Sequence, residues 1–480
     1  MKLKPYPKYR DSGVPWLGEV PEHWEIRKLG QIGFFYSGLS GKKGADFGQE
    51  NHPLNKPYIP FTNIFKNRYI NSQEIQYVVI ETSERQNKVQ KGDLFFLMSS
   101  ENYEDLGKCA LLLSDVNEMY LNSFCKGFRI TESDTSSIFL NYQLSSKIFK
   151  FLISKEGNGF TRINLKQYRL RACPVLLPPL DEQQQIARYL DWKTALINKF
   201  IRNKRRLIQL LKEQKQNIIN QAVTKGINPN VEMKNSGVEW LGQIPAHWEV
   251  LPLKRVVSTK ISDGPHITPS FVDYGIPFVS AEAVFEGRIH LSRMRGYISL
   301  EDHLNYCKKA KPQRDDIFIV KSGSTTGKAC IIDFDEEFSI WSPLALVRCK
   351  NNINPRLMFH SVSSSYFQKQ VQDRWSFGTQ PNIGMGVLQN LKVAFPNSLP
   401  DQQKIVAHIE KETALIDKTI SRTEREIELI QEYRSRLVSD VVTGKLDVRG
   451  IEIPDFEPVE AELELEEDDE SEGEEIDEDE

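Results

Sequence analysis

SGVPWLGEVPEHWEIRKLGQI, residues 12–32, returns as SGVEWLGQIPAHWEVLPLKRV at residues 236–256, with 11 of 21 positions identical at an offset of 224. A second pair lies downstream: QQQIARYLDWKTALINKFI at 183–201 and QQKIVAHIEKETALIDKTI at 402–420, with 9 of 19 identical at an offset of 219. The offsets differ by only 5 residues. One unit of roughly 220 residues has therefore been duplicated, made of an aromatic opening motif, a variable body and a helical close. Two similar halves joined by helices are built to hold two similar sites.

The closing segments read as long helices. From Asp181 to about Val223, and from Asp401 to about Val442, no Pro or Gly interrupts the chain, and Pro178, Pro179 and Pro400 stand just ahead. At about 1.5 Å per residue each would run about 60 Å. Apolar residues recur at heptad spacing: Leu190, Ile197, Leu211 and Ile218 form one row, and Ala187, Ile201, Ile208 and Ala222 the next, interrupted by Lys204 and Lys215. Adding 219 lands on Ile409, Ile416, Ile430 and Leu437, and on Val406, Ile420, Ile427 and Val441. A seam of this width needs a partner, and the simplest is the other copy, giving an antiparallel coiled coil within one chain. The alternative is that each helix packs only on its own body.

Between opening and close the bodies read as mixed α and β. Short β-branched or aromatic runs such as DLFFLM, KCALLL, DIFIVK and KACIID are separated by Gly, Asn and Ser, as strands with loops would be. KGDLFFLMSS with GKCALL aligns to RDDIFIVKSG with GKACII, while the sequence between these anchors diverges. The expected class is α+β: two α/β domains in tandem repeat, separated by two long antiparallel helices, with pseudo-twofold symmetry. The expected boundaries are 1–180, a central helix at 181–230, 231–399, a distal helix at 400–450, and a tail at 451–480.

Charge is distributed unevenly. From Asp455 to Glu480 there are 17 acidic residues and no Lys or Arg, which leaves 62 basic against 49 acidic side chains in residues 1–454. The body is basic, as a polyanion-binding surface requires. The tail is too charged to bury a core and is expected to be a solvated end; a second reading is that it mimics a phosphate backbone or docks a basic partner. No apolar run approaches the roughly 18 residues of a membrane span, and residues 1–13 lack the apolar stretch of a secretory signal, so no membrane partner and a cytoplasmic location are expected. The six cysteines are scattered with no C-x-x-C pair and read as reduced, mostly buried thiols.

G-V-x-W-L-G-x-x-P-x-H-W-E at both openings, the G-D-(L/I) to G-K strand pair, and LPPLDEQQQIA and SLPDQQKIVAHI each followed by T-A-L-I together resemble the specificity subunits of Type I restriction-modification systems. The resemblance covers residues 12–450; the acidic tail is not part of it. It implies two target-recognition domains, each reading one half of a split double-stranded DNA sequence. It also implies helices that set the unread gap and dock two modification (adenine methyltransferase) subunits, with restriction (translocase and endonuclease) subunits completing the complex.

Enzyme chemistry is not expected from this chain. It holds no (N/D)-P-P-(Y/F) string for a flipped base, and GSTTGK at 323–328 lacks the spacing of a phosphate loop and reads as a strand turn. His23 and His247 lack a second ligand at metal spacing, and His303 with Cys307 stands alone, so no catalytic residue, metal or cofactor is expected. Candidate DNA contacts are chosen by type, Arg or Lys for guanine and phosphate and Asn or Gln for adenine, on loops that a scaffold positions. They are Arg162, Asn164 and Lys166 closing the first body, Gln380 and Asn382 closing the second, and, along a second edge, Ser99, Asn102 and Lys108, and Lys321, Ser322, Ser324, Thr325 and Lys328. Trp16, Trp24, Trp240 and Trp248 are expected to fasten each body to the helices, the alternative being an exposed partner-binding site. The rival functions are a stand-alone DNA methyltransferase or nuclease, and a coiled-coil adaptor that binds only protein.

Overall fold

The duplication read in the sequence reappears in the central sheet of each unit. The computed structural model describes residues 3–48, 52–159, 162–377 and 380–456, so the acidic tail beyond Phe456 lies outside the described residues. Two compact units result: one from Met1–Arg205 together with the chain from Glu424 on, the other from Arg206–Thr423.

In the first unit β1 (Gly33–Ser37), β2 (Leu94–Leu97), β4 (Cys109–Leu111) and β5 (Cys125–Ile130) form an antiparallel sheet in the order β1-β5-β2-β4, and β3 (Ser99–Ser100) continues the line of β2. The second unit repeats it with β8 (Ser262–Asp263), β9 (Ile317–Val320), β10 (Ala329–Ile331) and β11 (Leu344–Val347), in the order β8-β11-β9-β10. The runs DLFFLM and DIFIVK supply the central strands, and their lack of alternation has a physical cause. Leu94 and Phe96 enter one core and Phe95 and Leu97 another, just as Ile317 and Ile319 part from Phe318 and Val320. A strand covered on both faces needs apolar residues at every position.

An ion pair on a buried carboxylate anchors the centre of each sheet. Asp93, 1% exposed, accepts from Arg129 Nε and Nη2 at 2.8 and 2.7 Å; Asp316, also 1% exposed, accepts from Arg348 Nε and Nη2 at 2.7 and 2.7 Å. The same carboxylates accept the backbone N–H of Gln90 and Gln313, each at 2.8 Å. Ordering the strand starts through planar, two-point pairing explains why the G-D and D-D anchors persist while their surroundings diverge.

The opening and closing motifs meet within each body. Glu25–Lys28 pairs antiparallel with Pro174–Leu177, and Trp248–Pro252 with Lys392–Pro396. The helices α1 (Leu180–Lys225) and α2 (Leu399–Val442) follow directly. Their shared glutamines fix the start. Gln183 Nε2 donates to the carbonyls of Asp134 and Pro178, and Gln402 Nε2 to those of Asn352 and Pro396. The shared threonines of T-A-L-I turn inward, Thr194 Oγ1 donating to Leu190 O and Thr413 Oγ1 to Ile409 O.

The two helices pair antiparallel, as the seam requires. Ala187, Leu190, Ile197, Ile201, Ile208 and Ala222 are buried, with Val406, Ile409, Ile416, Ile420, Ile427, Leu437 and Val441 opposite, while Leu211, Ile218 and Ile430 are half-buried. The polar interruptions are partnered across the seam. In the first unit Lys204 Nζ meets Glu426 at 2.8 Å and Arg434 Nη1 donates to Asn198 at 2.8 Å. In the second Lys215 Nζ meets Asp417 at 2.5 Å. Lys215 and Arg434, like Asn198 and Asp417, stand 219 residues apart, so the same cross-helix contact occurs once in each unit. A polar pair inside an apolar seam specifies register.

Each unit also receives the far end of the other body's helix. Ile219, Ala222 and Val223 join the core around Trp248, and Leu437, Val441 and Val442 the core around Trp24. Gly444 turns the chain at φ +74, and a side chain there would strike Pro21 Cδ at 2.4 Å. Beyond it the chain threads the opening of the first body: Lys4 bridges Asp447, Tyr9 OH donates to Gly444 O at 3.0 Å, and Arg449 lies 4.8 Å over the Tyr6 ring. No helix among the described residues is long and apolar enough to cross a membrane. The six cysteines are unpaired thiols, and burial pushes those of Cys109, Cys125 and Cys330 far above their ordinary range.

Candidate nucleic-acid interface

The two segments chosen separately in each body come together at one edge. In the first unit β6 (Gly157–Asn158), β7 (Ile163–Leu165) and β3 form an antiparallel sheet in the order β6-β7-β3, with Ser99 opposite Asn164 and Ser100 opposite Ile163. Strand alternation sorts the candidates. Ile163 and Leu165 are buried at 3% and 5%, while Arg162, Asn164 and Lys166 are exposed. Asn164 Nδ2 donates to Arg162 O at 3.2 Å, which ties the two together. Arg162 has no acidic partner among the described residues; its guanidinium carbon lies 5.4 Å from the centre of the exposed Phe124 ring.

The second unit builds the same edge from β12 (Pro381–Asn382) and the turn after β9. Ser322 bridges Asn382, Gly323 N–H donates to Pro381 O at 3.1 Å, and Ile383 N–H donates to Lys321 O at 2.8 Å. That last bond has its counterpart in Leu165 N–H to Met98 O at 2.8 Å. The match fixes equivalences the sequence left open. Asn164 corresponds to Asn382, and Arg162 to Gln380, all four exposed. Residues 323–328 are a turn between β9 and β10: Gly323 and Gly327 hold φ of +108 and +96, and buried Thr326 donates to Gly323 O and contacts Pro381 O at 2.7 and 3.0 Å. Ser324 and Lys328 face outward, Ser322 and Thr325 are half-buried.

Four candidates are buried or engaged inside the protein. Ser99 is 7% exposed and its hydroxyl is buried without a hydrogen-bond partner among the described residues. Asn102 is exposed, yet its Oδ1 accepts from Asp105 N and so closes the loop. Lys108 Nζ pairs with Asp105 at 2.7 Å and lies 3.9 Å from the Phe65 ring centre. Lys321 Nζ pairs with Asp263 at 2.7 Å with only 12% of its side chain exposed. Asp263 also holds Lys309, and His266 Nε2 lies 3.2 Å from it. Burial works to raise the Asp263 carboxyl, but hydrogen bonds from Lys309 and Lys321 outweigh it and hold it below the usual carboxylate range. Sequence could not anticipate these pairings, since Asp263 lies 58 residues from Lys321.

The tryptophans are set into the frame. Trp24 and Trp248 are 1% and 2% exposed, so neither offers its indole to a partner; Trp16 lies edge-on to Phe149 at 5.4 Å and Trp240 stacks on Tyr366 at 5.6 Å, both half-buried. Trp24 Nε1 donates to Glu182 Oε1 at 2.9 Å, and the same carboxylate accepts from Tyr6 OH at 2.7 Å and lies 2.8 Å from His23 Nε2.

Residues 21–213 and 246–429 match the family described as the Type I restriction modification DNA specificity domain. The chain belongs to that family. The two matched segments follow the two copies of the repeat. Among curated relatives, the MjaVIII specificity subunit of Methanocaldococcus jannaschii is 26% identical over 440 residues, 90% of this chain and 95% of its own. The EcoKI specificity subunit of Escherichia coli is 23% identical over 291 residues, 60% of each chain. A chain solved in a study of complex assembly and conformational transition of the type I R-M system shares the fold, with a TM-score of 0.63 at 15% identity, covering 89% of this chain and 99% of that one.

Proposed function

We propose that this chain is the DNA-reading subunit of a cytoplasmic Type I restriction-modification complex. Its two recognition bodies, residues 1–180 and 231–399, each read one half of a split duplex target. The helices at 181–230 and 400–450 carry the modification subunits, and restriction subunits complete the assembly. The chain supplies sequence recognition, and the chemistry on DNA comes from its partners. One observation carries this reading: two edges of matching backbone construction expose Arg162, Asn164 and Lys166 in one body and Gln380 and Asn382, with Lys328 on the adjoining turn, in the other. A constant frame with variable hydrogen-bonding side chains is what reading two different half-sequences demands.

Replacing residues 40–165 with the same region of a relative is expected to change one half of the methylated sequence and leave the other intact. Sequencing of methylated sites in cells carrying the chimera checks this, and a change in both halves would refute modular reading. Methyl-donor binding by the purified chain would favour a stand-alone methyltransferase instead. Binding of partner proteins without any salt-dependent retention on duplex DNA would favour an adaptor.

Lys166 is exposed just after β7, and its ammonium group suits a phosphate. Lys166→Ala is expected to weaken binding to all duplexes alike and to lower the slope of log affinity against log salt by about one. Titrations of the assembled complex at several salt concentrations measure this. A loss confined to one sequence would make Lys166 a base reader.

A further inference from the structure

We propose that Arg162 and Phe124 act as one guanine reader in the first body, with Phe124 the positioning residue, and that Gln380 reads an adenine at the equivalent place in the second. The proposal rests on the reading of the chain as a DNA-recognition subunit and goes beyond it by assigning bases.

Phe124 sits at the tip of a short turn between Tyr120–Leu121 and β5, with 56% of its surface exposed. The turn is rigid. Asn122 N–H donates to Ile59 O at 3.0 Å, Phe124 N–H to Asn122 Oδ1 at 2.9 Å, and Cys125 N–H to Asn122 O at 3.2 Å. A large apolar ring held outward by three hydrogen bonds serves no core. Its contact is Arg162, whose guanidinium lies 5.4 Å from the ring centre. A guanidinium resting on an aromatic face gives up rotamer freedom before DNA arrives, while its N–H groups still point sideways. Those N–H groups suit two parallel bonds to guanine O6 and N7.

The second body carries a different pair at the same places. Trp341 N–H donates to Val279 O at 2.9 Å and Leu344 N–H to Trp341 O at 3.0 Å, the bonds Asn122 and Cys125 make in the first body. Trp341 therefore matches Asn122, and Pro343 matches Phe124. Gln380, matching Arg162, needs no aromatic rest, since its amide is neutral and short. An amide of this kind pairs with adenine N6 and N7. Arg with Phe in one body and Gln with Pro in the other is a coordinated difference, as two readers of different bases would show.

The test uses the complete complex with its modification subunits and a library of duplexes varied one base pair at a time, read by methyl transfer. The half assigned to the first body by the chimera should contain a guanine at which Arg162→Ala lowers discrimination by about five- to a hundred-fold. Phe124→Ala and Phe124→Leu should lower it by about two- to five-fold at that same base pair alone, Phe124→Tyr should retain it, and the double variant Arg162→Ala with Phe124→Ala should match Arg162→Ala. Arg162→Gln should move the preference there from guanine toward adenine. Absence of an Arg162-dependent guanine, an equal loss at every base pair in Phe124→Ala and Phe124→Leu, or additive losses in the double variant would each overturn the proposal. A wild-type complex with no sequence preference would instead overturn the recognition reading beneath it.

Discussion

Asp93→Ala should destabilise the first unit by about 3–5 kcal/mol, the cost expected when one partner of a buried ion pair is removed. Arg129 would lose both bonds to a carboxylate that is 1% exposed, Tyr36 OH would lose its 2.5 Å acceptor, and Gln90 N–H would be left with none. Burial and the adjoining Asp93 charge already hold the Tyr36 phenol well above its ordinary range, so the hydroxyl stays a donor and cannot relieve the loss by ionising. Hydrogen exchange resolves the effect by unit: amides of β2 and β5 should open early, while those of β9 and β11 stay protected. Asp316→Ala should give the mirror result through Arg348. A loss below about 1 kcal/mol, measured by urea unfolding, would show that the pair does not anchor the sheet.

Glu182→Ala should follow closely, at about 2–6 kcal/mol, because two buried donors, Tyr6 OH and Trp24 Nε1, lose one shared acceptor at about 1–3 kcal/mol each. Tyr6 is 3% exposed and Trp24 1%, so water cannot replace the carboxylate without opening the core. Glu182→Gln keeps an acceptor and should recover part of the loss. The repeat offers an internal control. Asp401 stands 219 residues on, yet its side chain is half exposed and pairs with Lys404 at 3.0 Å on its own helix. Asp401→Ala should therefore cost under about 1 kcal/mol. Equal losses at the two positions would contradict the assignment of Glu182 as a hub.

The frame was legible because duplication displays it twice. The opening motif, the glutamine start and the heptad seam all recur at nearly constant offset, and each proves to be a contact that both units need. Helix α1 runs Leu180–Lys225 and α2 Leu399–Val442, within two residues of the uninterrupted stretches Asp181–Val223 and Asp401–Val442 and short of the broader spans 181–230 and 400–450, with Pro400 seated in the first turn of α2. The ion-pair anchors were half legible. Asp93 and Asp316 lay in the aligned strands, but Arg129 and Arg348, also 219 apart, lie in stretches whose neighbours diverge. A search for isolated charged residues at the repeat offset would have found them.

The edge was legible by residue type and illegible by partner. Period-two alternation of Arg162, Asn164 and Lys166 with Ile163 and Leu165 marks an exposed face in the sequence itself. Lys108 and Lys321 look equally available, and only the fold reveals Asp105 and Asp263 beside them. Phe124 was invisible because a single aromatic in a diverged loop carries no period and no repeat.

The threading of the chain through the first unit sets an order of events on the ribosome. The second unit is one uninterrupted stretch, Arg206–Thr423, whereas the first needs both Met1–Arg205 and the chain from Glu424 on. Synthesis at about 5–20 residues per second leaves the amino-terminal part waiting about 10 to 45 s before Leu437, Val441 and Val442 emerge to fill its core. The portion made first is thus completed last, and its unsealed apolar surface around Trp24 is where a nascent chain of this design would need a chaperone.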